Sequence, residues 1–592
     1  MAAPRIIVIG GGLAGLAAVI KIAEAGGTVD LFSIVPVKRS HSVCAQGGIN
    51  AAKNLKGEGD TTFKHFDDTI YGGDFLANQT PVKAMCEAAP GIIDLLDRMG
   101  VPFNRTPEGL LDFRRFGGTL YNRTAFAGAT TGQQLLYALD EQVRRHESDG
   151  KVRKYEGWEF LSAIIDSKGT ARGITALDLR TMELRSFPAD AIILATGGIG
   201  AIFGKSTNSV VCTGSAQSAV FQQGVYYANG EFIQVHPTAI PGEDKLRLMS
   251  ESARGEGGRV WVPRAPGDKR HPKQIPAAER FYFLEEWYPK YGNLVPRDIA
   301  TRAIHKVVYE EGLGLNGQPM VYLDLTHIDR ATLDRKLGGI LEIYEKFVGV
   351  DPHDEPMKIF PGMHYTMGGL WVDFNQMTNV PGIFAAGECE YQYHGANRLG
   401  ANSLVSCIFG GFVAGPNALA YARSLPAAEG DSGAAAELAR QAEINSKLLQ
   451  NEGTENPFKL WRELGDVMTK HATVTRYNKG LKEADEKVVE LMDRYKKVNL
   501  SDKSQWANTS FAFARQLQNM LVLARVIVQG AILRDESRGA HYKPDFPERN
   551  DEKFLKTTKA SFNPDCTGPR FELEDVDIQH IKPRPRRYDV AK

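Results

Sequence analysis

The sequence has no surplus of either charge. Lysine and arginine together number 71, and aspartate and glutamate also number 71, in a chain of 592 residues. No basic field of the kind that holds a nucleic-acid backbone is available, so nucleic acid is not an expected partner. Cysteine is scarce: Cys44, Cys86, Cys212, Cys389, Cys407 and Cys566 are scattered, with no C-x-x-C pair among them. That spacing argues against a zinc or iron-sulfur site built from this chain alone, and no metal is expected in it. No apolar run reaches the roughly eighteen residues of a membrane-spanning helix, so membrane association is expected only through partners. The first segment, MAAPRIIVIGGG, enters a strand-like run too early for a signal peptide, a reading that favours a cytosol-facing location in a bacterium.

What is present is ordinary globular composition, with 43% hydrophobic and 24% charged residues, at a length that predicts roughly two to four domains. Arg5–Ile9 reads as a strand, Leu13–Ala25 as a helix ended by Gly26 and Gly27, and Val29–Phe32 as a second strand. Gly10-x-Gly12-x-x-Gly15 sits between the first strand and the helix, where glycines let a backbone approach a pyrophosphate. An NAD site would usually offer Asp or Glu at the end of the second strand, and Ser33 stands there instead. Two further apolar runs end in glycine turns, one at Ala195-Thr196-Gly197-Gly198 and one at Ala385-Ala386-Gly387-Glu388. Either alone is an ordinary strand-to-helix turn. Together they favour FAD, an extended ligand that needs backbone contacts along its length, with Glu388 placed to accept hydrogen bonds from the ribityl chain. The stretch from Pro241 to Met357, rich in loops, prolines and charges, reads as an insertion. An Ala/Gly/Ser-rich linker from Pro426 leads to helical patterns at Ala484–Val498 and Phe511–Leu533, and the tail through Lys582-Pro-Arg-Pro-Arg-Arg587 reads as a solvated surface segment.

At Arg39-Ser-His-Ser-Val-Cys-Ala-Gln-Gly-Gly48, followed by Ile49-Asn-Ala-Ala52, the chain resembles the succinate dehydrogenase and fumarate reductase flavoprotein subunits. The resemblance runs nearly end to end. It continues through Gln234-Val-His-Pro-Thr238, Leu248-Met-Ser-Glu-Ser-Ala-Arg-Gly-Glu-Gly-Gly258, Pro296-Arg-Asp298, Pro361-Gly-Met-His-Tyr-Thr-Met-Gly-Gly369 and Tyr393-His-Gly-Ala-Asn-Arg-Leu-Gly-Ala-Asn-Ser-Leu404. It implies an α/β fold: a Rossmann-like FAD-binding domain over 1–240 and 358–425, an inserted α+β capping domain over 241–357, a helical domain over 426–540 and a small C-terminal domain over 541–592. It further implies FAD held by Gly10, Gly12, Gly15, Ser33, Ser40, Gly47, Gly48, Ala195, Thr196, Gly197, Glu388, Ser403 and Leu404, and bonded covalently to His41. An isolated histidine beside Ser and Cys is more often structural, so the surrounding motif carries the assignment of His41.

By the same resemblance, Arg398 and His364 hold one carboxylate of succinate or fumarate, and His236 and Thr238 the other. A dianion with charges at both ends calls for such a bidentate cation and opposed donors. Taken without the motif, His236 reads as a satisfied histidine before a proline turn, and Glu251 with Arg254 as a surface ion pair. The resemblance makes Arg297 the proton donor to fumarate, supplied through Glu251 and Arg254, a role that needs fast proton exchange because arginine is ordinarily never deprotonated. L-aspartate oxidase shares the fold and much of the dicarboxylate site but lacks a histidine at the position of His41. A flavin-binding scaffold without activity is a third reading, set against the retained His236, Glu251, Arg254, Arg297, His364 and Arg398. The partners implied are an iron-sulfur subunit and an integral membrane anchor that handles quinone, with the chain peripheral on the cytoplasmic side of the bacterial inner membrane. Gln46 leans the reading toward the dehydrogenase direction.

Overall fold

The computed structural model describes residues 4–242, 245–425, 433–565 and 568–589. At its centre lies a five-stranded parallel sheet in the order Ile383–Ala385, Ala191–Leu194, Arg5–Ile9, Thr28–Ser33, Val152–Glu156. Ile6 to Ile9 and Ala191 to Leu194 are buried throughout, which is why these strands read as unbroken apolar runs rather than alternating ones. Helix Leu13–Glu24 packs on the sheet and against helix Asn402–Ser424. The two backbones close on each other at glycine: a Cβ on Gly411 would lie 2.3 Å from the Ala14 carbonyl oxygen, and one on Gly415 2.7 Å from that of Ala18.

Strands Ile233–Ile240 and Met357–Thr366 pair antiparallel, from Ile233 opposite Thr366 to Ala239 opposite Phe360, and carry the chain out of the FAD-binding unit and back. Beyond them the sheet continues through Val321–Asp324 and Arg259–Pro263. Helices Arg297–His305 and Arg330–Val348 join these strands around a separate apolar core that includes Val260, Leu323, Leu337 and Ile359. The insertion thus has the expected α+β character. Its strands of four and five residues are too short for alternation to register in the sequence.

Helices Pro457–His471, Asn478–Tyr495 and Thr509–Leu533 form the helical region with Ala434–Gln450. Asn456 caps the first of them, accepting from Phe458 N at 2.9 Å with proline at the opening position, and Asn508 caps the last, accepting from Phe511 N at 2.9 Å. The helix expected at Ala484–Val498 starts earlier and stops at Tyr495. Periodicity registers only its buried face, Leu481, Ala484, Val488 and Leu491, while Val498 is buried beyond the helix end. The linker expected from Pro426 falls largely outside the described residues, as does Cys566.

By length and composition, Asn402–Ser424 and Thr509–Leu533 suffice to cross a membrane, yet more than half of each apolar window is buried inside the fold. Asn417 interrupts the first, and Asn519 and Arg525 the second, so neither shows as one apolar run. The C-terminal strands Lys556–Ser561 and Arg570–Asp575 extend a sheet begun by Tyr227–Ala228 and Gly369–Leu370. The tail departs from the solvated segment expected of it: the Arg586 side chain is only 5% exposed and pairs with Asp298, a buried carboxylate that composition alone could not reveal.

Candidate active site

Glycine sets the nucleotide end of the site by packing as much as by ligand access. Gly10 takes φ +118°, and a Cβ there would lie 2.1 Å from the Ala195 carbonyl oxygen; one on Gly15 would lie 1.9 Å from that of Gly10. Gly15 therefore stands behind the site, fastening helix to strand. Gly10 and Gly12 form part of the wall of a cavity of about 490 Å³, which passes Ser33, Ala195, Thr196, Gly197, Glu388, Ser403 and Leu404, then Ser40, His41, Gly47 and Gly48. It ends at His236, Glu251, Arg297, His364 and Arg398. Along this wall the buried Ser40 Oγ, Gln46 Oε1 and Thr196 Oγ1 have no hydrogen-bond partner among the described residues. Buried polar atoms are ordinarily satisfied. Their alignment along one cavity, with a helix N-terminus at Gly12, fits an extended phosphate-bearing ligand of FAD's kind. The Ser33 hydroxyl is turned to the Val35 carbonyl at 2.6 Å, so the strand end offers no acid to a ribose. Burial pushes the Glu388 carboxyl up to about 8 against the Thr366 N–H that donates to it at 3.1 Å, leaving a group that can both donate and accept.

His41 stands in the middle of this wall. Its Nδ1 accepts from Ser209 N at 3.1 Å, and Asn208 Nδ2 lies 3.2 Å from Nε2. Burial, then the charge of Lys245, lowers its pKa to about 4, so the ring is neutral near pH 7.

At the charged end Glu251 bridges two guanidiniums. Its Oε1 accepts from Arg254 Nη2 at 2.7 Å, and its Oε2 accepts from Arg297 Nε at 3.0 Å and Nη2 at 2.8 Å. Glu251 and Arg254 have fully buried side chains, so the pair is no surface ion pair. Burial alone would raise the Glu251 pKa, and the two arginines more than reverse this, holding the group ionised. Arg398 lies 4.4 Å from the centre of the Tyr365 ring. Burial, then the charge of Arg297, lowers its pKa to about 9. The His236 and His364 rings are 5.0 Å apart, and burial followed by the charge of Arg297 holds both well below the usual imidazole range. His236 Nδ1 accepts from Thr238 N at 3.2 Å, which places the ring proton on Nε2, an atom with no partner among the described residues. Among the residues just described, the guanidiniums of Arg254, Arg297 and Arg398 share this end with the single carboxylate of Glu251, and both histidines are neutral.

Of the residues singled out from sequence, Gly15, Thr238 and Arg254 do not line the cavity. Thr238 is buried behind His236, donating to the Met249 carbonyl at 2.8 Å and touching His236 Nδ1 at 3.2 Å. Arg254 stands behind Glu251 and donates to the Asn293 carbonyl at 2.7 Å. Three other residues complete the site. Gln234 accepts from Arg297 Nη1 at 3.0 Å and donates to the Arg398 carbonyl at 2.8 Å, tying the two arginines together. Thr207 Oγ1 lies 2.7 Å from His364 Nδ1, and Asn208 joins His41 to the His364 carbonyl, to which it donates at 2.9 Å. Gln234 stands two residues before His236 on a strand, so period-two alternation was a signal for it. Thr207 and Asn208 sit on a loop without one.

Residues 5–404 match the family model described as an FAD binding domain, and residues 461–588 match that of the fumarate reductase flavoprotein C-terminus. The succinate dehydrogenase flavoprotein subunit of Bacillus subtilis (strain 168) is 63% identical, covering 100% of both chains. The fumarate reductase flavoprotein subunit of Escherichia coli (strain K12) is 34% identical over 98% of this chain and 95% of its own. Among solved structures, a variant of the E. coli quinol fumarate reductase flavoprotein superposes with TM-score 0.92 at 32% identity, covering 100% of both chains. A quinol-fumarate reductase with menaquinol molecules superposes with TM-score 0.89 at 32% identity, covering 99% of this chain and 100% of that one. None of these likenesses favours the aspartate oxidase alternative.

Proposed function

The chain belongs to the family of succinate dehydrogenase and fumarate reductase flavoprotein subunits, and we propose that its cavity interconverts succinate and fumarate with the residue roles that follow. The observation that carries the reading is the pair of arginines at one end of the cavity: Arg297 and Arg398 both line it there, beside two neutral histidines, matching a dicarboxylate dianion. Arg398 takes one carboxylate beside His364, and His236 donates its Nε2–H to the other while Thr238, from behind, fixes that ring. FAD, which His41 and the glycine turns would hold, would supply the two-electron chemistry of hydride exchange with succinate or fumarate. The ring of His41 suits the tether. Its Nδ1 accepts a backbone N–H, so Nε2, which Asn208 Nδ2 approaches to 3.2 Å, is the nitrogen that would carry the substituent, with Asn208 giving way to it. Arg297 gives a proton to fumarate or takes one from succinate, and Glu251 and Arg254, joined to it through a continuous chain of hydrogen bonds, restore its protonation from behind.

Electrons then leave for an iron-sulfur subunit, and an integral membrane anchor with quinone lies beyond, so this chain sits peripherally on the cytoplasmic side of the inner membrane. The names of the relatives as flavoprotein subunits, and the menaquinol present in one related structure, support this placement. The test is Arg297→Ala in the assembled enzyme. Succinate-dependent reduction of an artificial electron acceptor should fall at least about a thousandfold, as expected when a general acid-base group is removed. A competitive dicarboxylate inhibitor should still perturb the flavin spectrum. Turnover near the wild-type rate would remove Arg297 from the mechanism.

A further inference from the structure

Residues 584–588 reach the two arginines of the proton path by separate arms. Arg586 Nη1 and Nη2 meet the two oxygens of Asp298 at 2.6 and 3.0 Å, with the two side chains 5% and 1% exposed. Asp298 is the residue after Arg297, in the first turn of the helix that begins with Arg297. The second arm is Tyr588. It is 3% exposed, with its ring 5.1 Å from that of Tyr291 and 5.6 Å from that of Tyr71. Tyr291 stands two residues before Asn293, whose carbonyl holds Arg254. On the other side the tail is fastened to the FAD-binding unit, where Tyr71 Oη accepts from Arg587 N at 2.6 Å and Arg584 pairs with Asp67 at 2.7 Å. Residues 584–588 therefore bridge the helix Thr62–Gly72 to the inserted unit at the base of the Arg297 helix.

We propose that this C-terminal strap is a positioning device for the reaction, in which Arg586, through Asp298, sets where the Arg297 guanidinium stands relative to the bound dicarboxylate. The inference rests on the role of Arg297 given above. A bidentate arginine-carboxylate pair fixes orientation as well as distance, and proton transfer tolerates little displacement of the donor. Arg302 also reaches Asp298, but at 3.2 Å and by one nitrogen from the same helix. It neutralises the carboxylate from within the helix, and its own outside contact is with the Tyr542 ring at 5.2 Å, away from the tail. Substrate binding uses Arg398, His364 and His236, none of which the tail touches, so the strap bears on the chemical step and not on affinity.

In the assembled enzyme, Arg586→Gln should lower kcat for succinate oxidation by about tenfold or more, with the KM for succinate within about twofold and covalent flavin content unchanged, alongside a lower Tm from the lost buried pair. Arg586→Lys, which keeps the charge and one of the two hydrogen bonds, should recover most of the loss. Wild-type kcat in Arg586→Gln overturns the proposal, and so does a loss matched by an equal fall in flavin content or one that Arg586→Lys does not recover. Should Arg586→Gln fail to accumulate, Asp298→Asn is read by the same criteria. Arg297→Gln measured alongside keeps the two ideas apart: lost turnover there, with wild-type turnover in Arg586→Gln, overturns the strap and leaves the proton-donor reading standing.

Discussion

A buried carboxylate shared by two guanidiniums is costly to desolvate and strongly destabilising to break, so Glu251 is better understood as a fixed junction than as a source of stability. The junction holds Arg297 from one side, and Gln234 holds it from the other at 3.0 Å, so the guanidinium cannot swing away to a second counter-ion. Thr238 does the equivalent for His236. Replacing Thr238 by Val removes the hydroxyl that spans the Met249 carbonyl and the ring, but keeps the backbone N–H that sets the tautomer. The expected result in steady-state assays is a KM for succinate raised about fivefold, equivalent to one neutral hydrogen bond of about 1 kcal/mol, with kcat within about twofold. A fall in kcat at constant KM would place Thr238 in the chemical step instead. At this scale the sequence was legible for which side chains meet in one cavity, as with Arg297, Arg398, His236, His364 and Glu251. It was not legible for depth: nothing in Gln234-Val-His-Pro-Thr238 tells that the histidine faces the cavity while the threonine stands behind it.

Elements far apart in the chain meet at Asn402, the first residue of helix Asn402–Ser424. Its Oδ1 accepts from Asn50 Nδ2 at 2.7 Å and lies 2.9 Å from His65 Nε2, while its Nδ2 donates to Thr69 Oγ1 at 2.9 Å. Asn50 also donates to the Gly400 carbonyl at 2.7 Å. The network anchors the turn after Arg398, including Ala401 at φ +62°, and so the position of Arg398 in the cavity wall. Burial, then the charge of Arg123, lowers the His65 pKa to about 3 despite its bond to Asn402. In the unfolded chain the value is near 6.5, so protonation favours unfolding: the contribution of neutral His65 is intact above about pH 6.5 and is lost as pH falls toward 3. His65→Gln keeps a donor to Asn402 and removes the titration. Unfolding in denaturant at pH 7 and pH 5 should therefore show the wild type losing about 2 kcal/mol more than the variant, at about 1.4 kcal/mol per unit below 6.5. Equal losses would mean that His65 titrates normally. The parallel strands and their glycine turns could be read from sequence because burial on both faces writes itself as an apolar run. This network could not, since its members are ordinary polar residues brought together from positions 50, 65 and 402.

For the whole molecule, the question is how a chain whose relatives belong to quinol-linked complexes meets a membrane. Its two most apolar long helices are spent inside. Val405, Ile408 and Leu419 of one are buried in the core beside the first helix of the chain, and Leu517, Leu521 and Ile527 of the other are buried in the core of the helical region. Buried charges bind the C-terminal segment to the rest: Arg534 pairs with Glu231 at 2.7 Å and with Glu536 at 2.9 Å, all three side chains being at most 1% exposed. Pulling either helix into a bilayer would strip such groups of their partners, at a cost of several kcal/mol for each unpaired charge. Attachment is therefore expected through contacts with other subunits, whose charged and polar portions weaken when titrated. Membranes from cells making the full complex should release this polypeptide into the supernatant on washing with alkaline carbonate, while the anchor stays in the pellet. The same polypeptide made without its partners should fractionate with the soluble proteins. Retention of the chain in carbonate-washed membranes that lack the anchor would mean that one of these helices, or a surface patch, engages lipid directly.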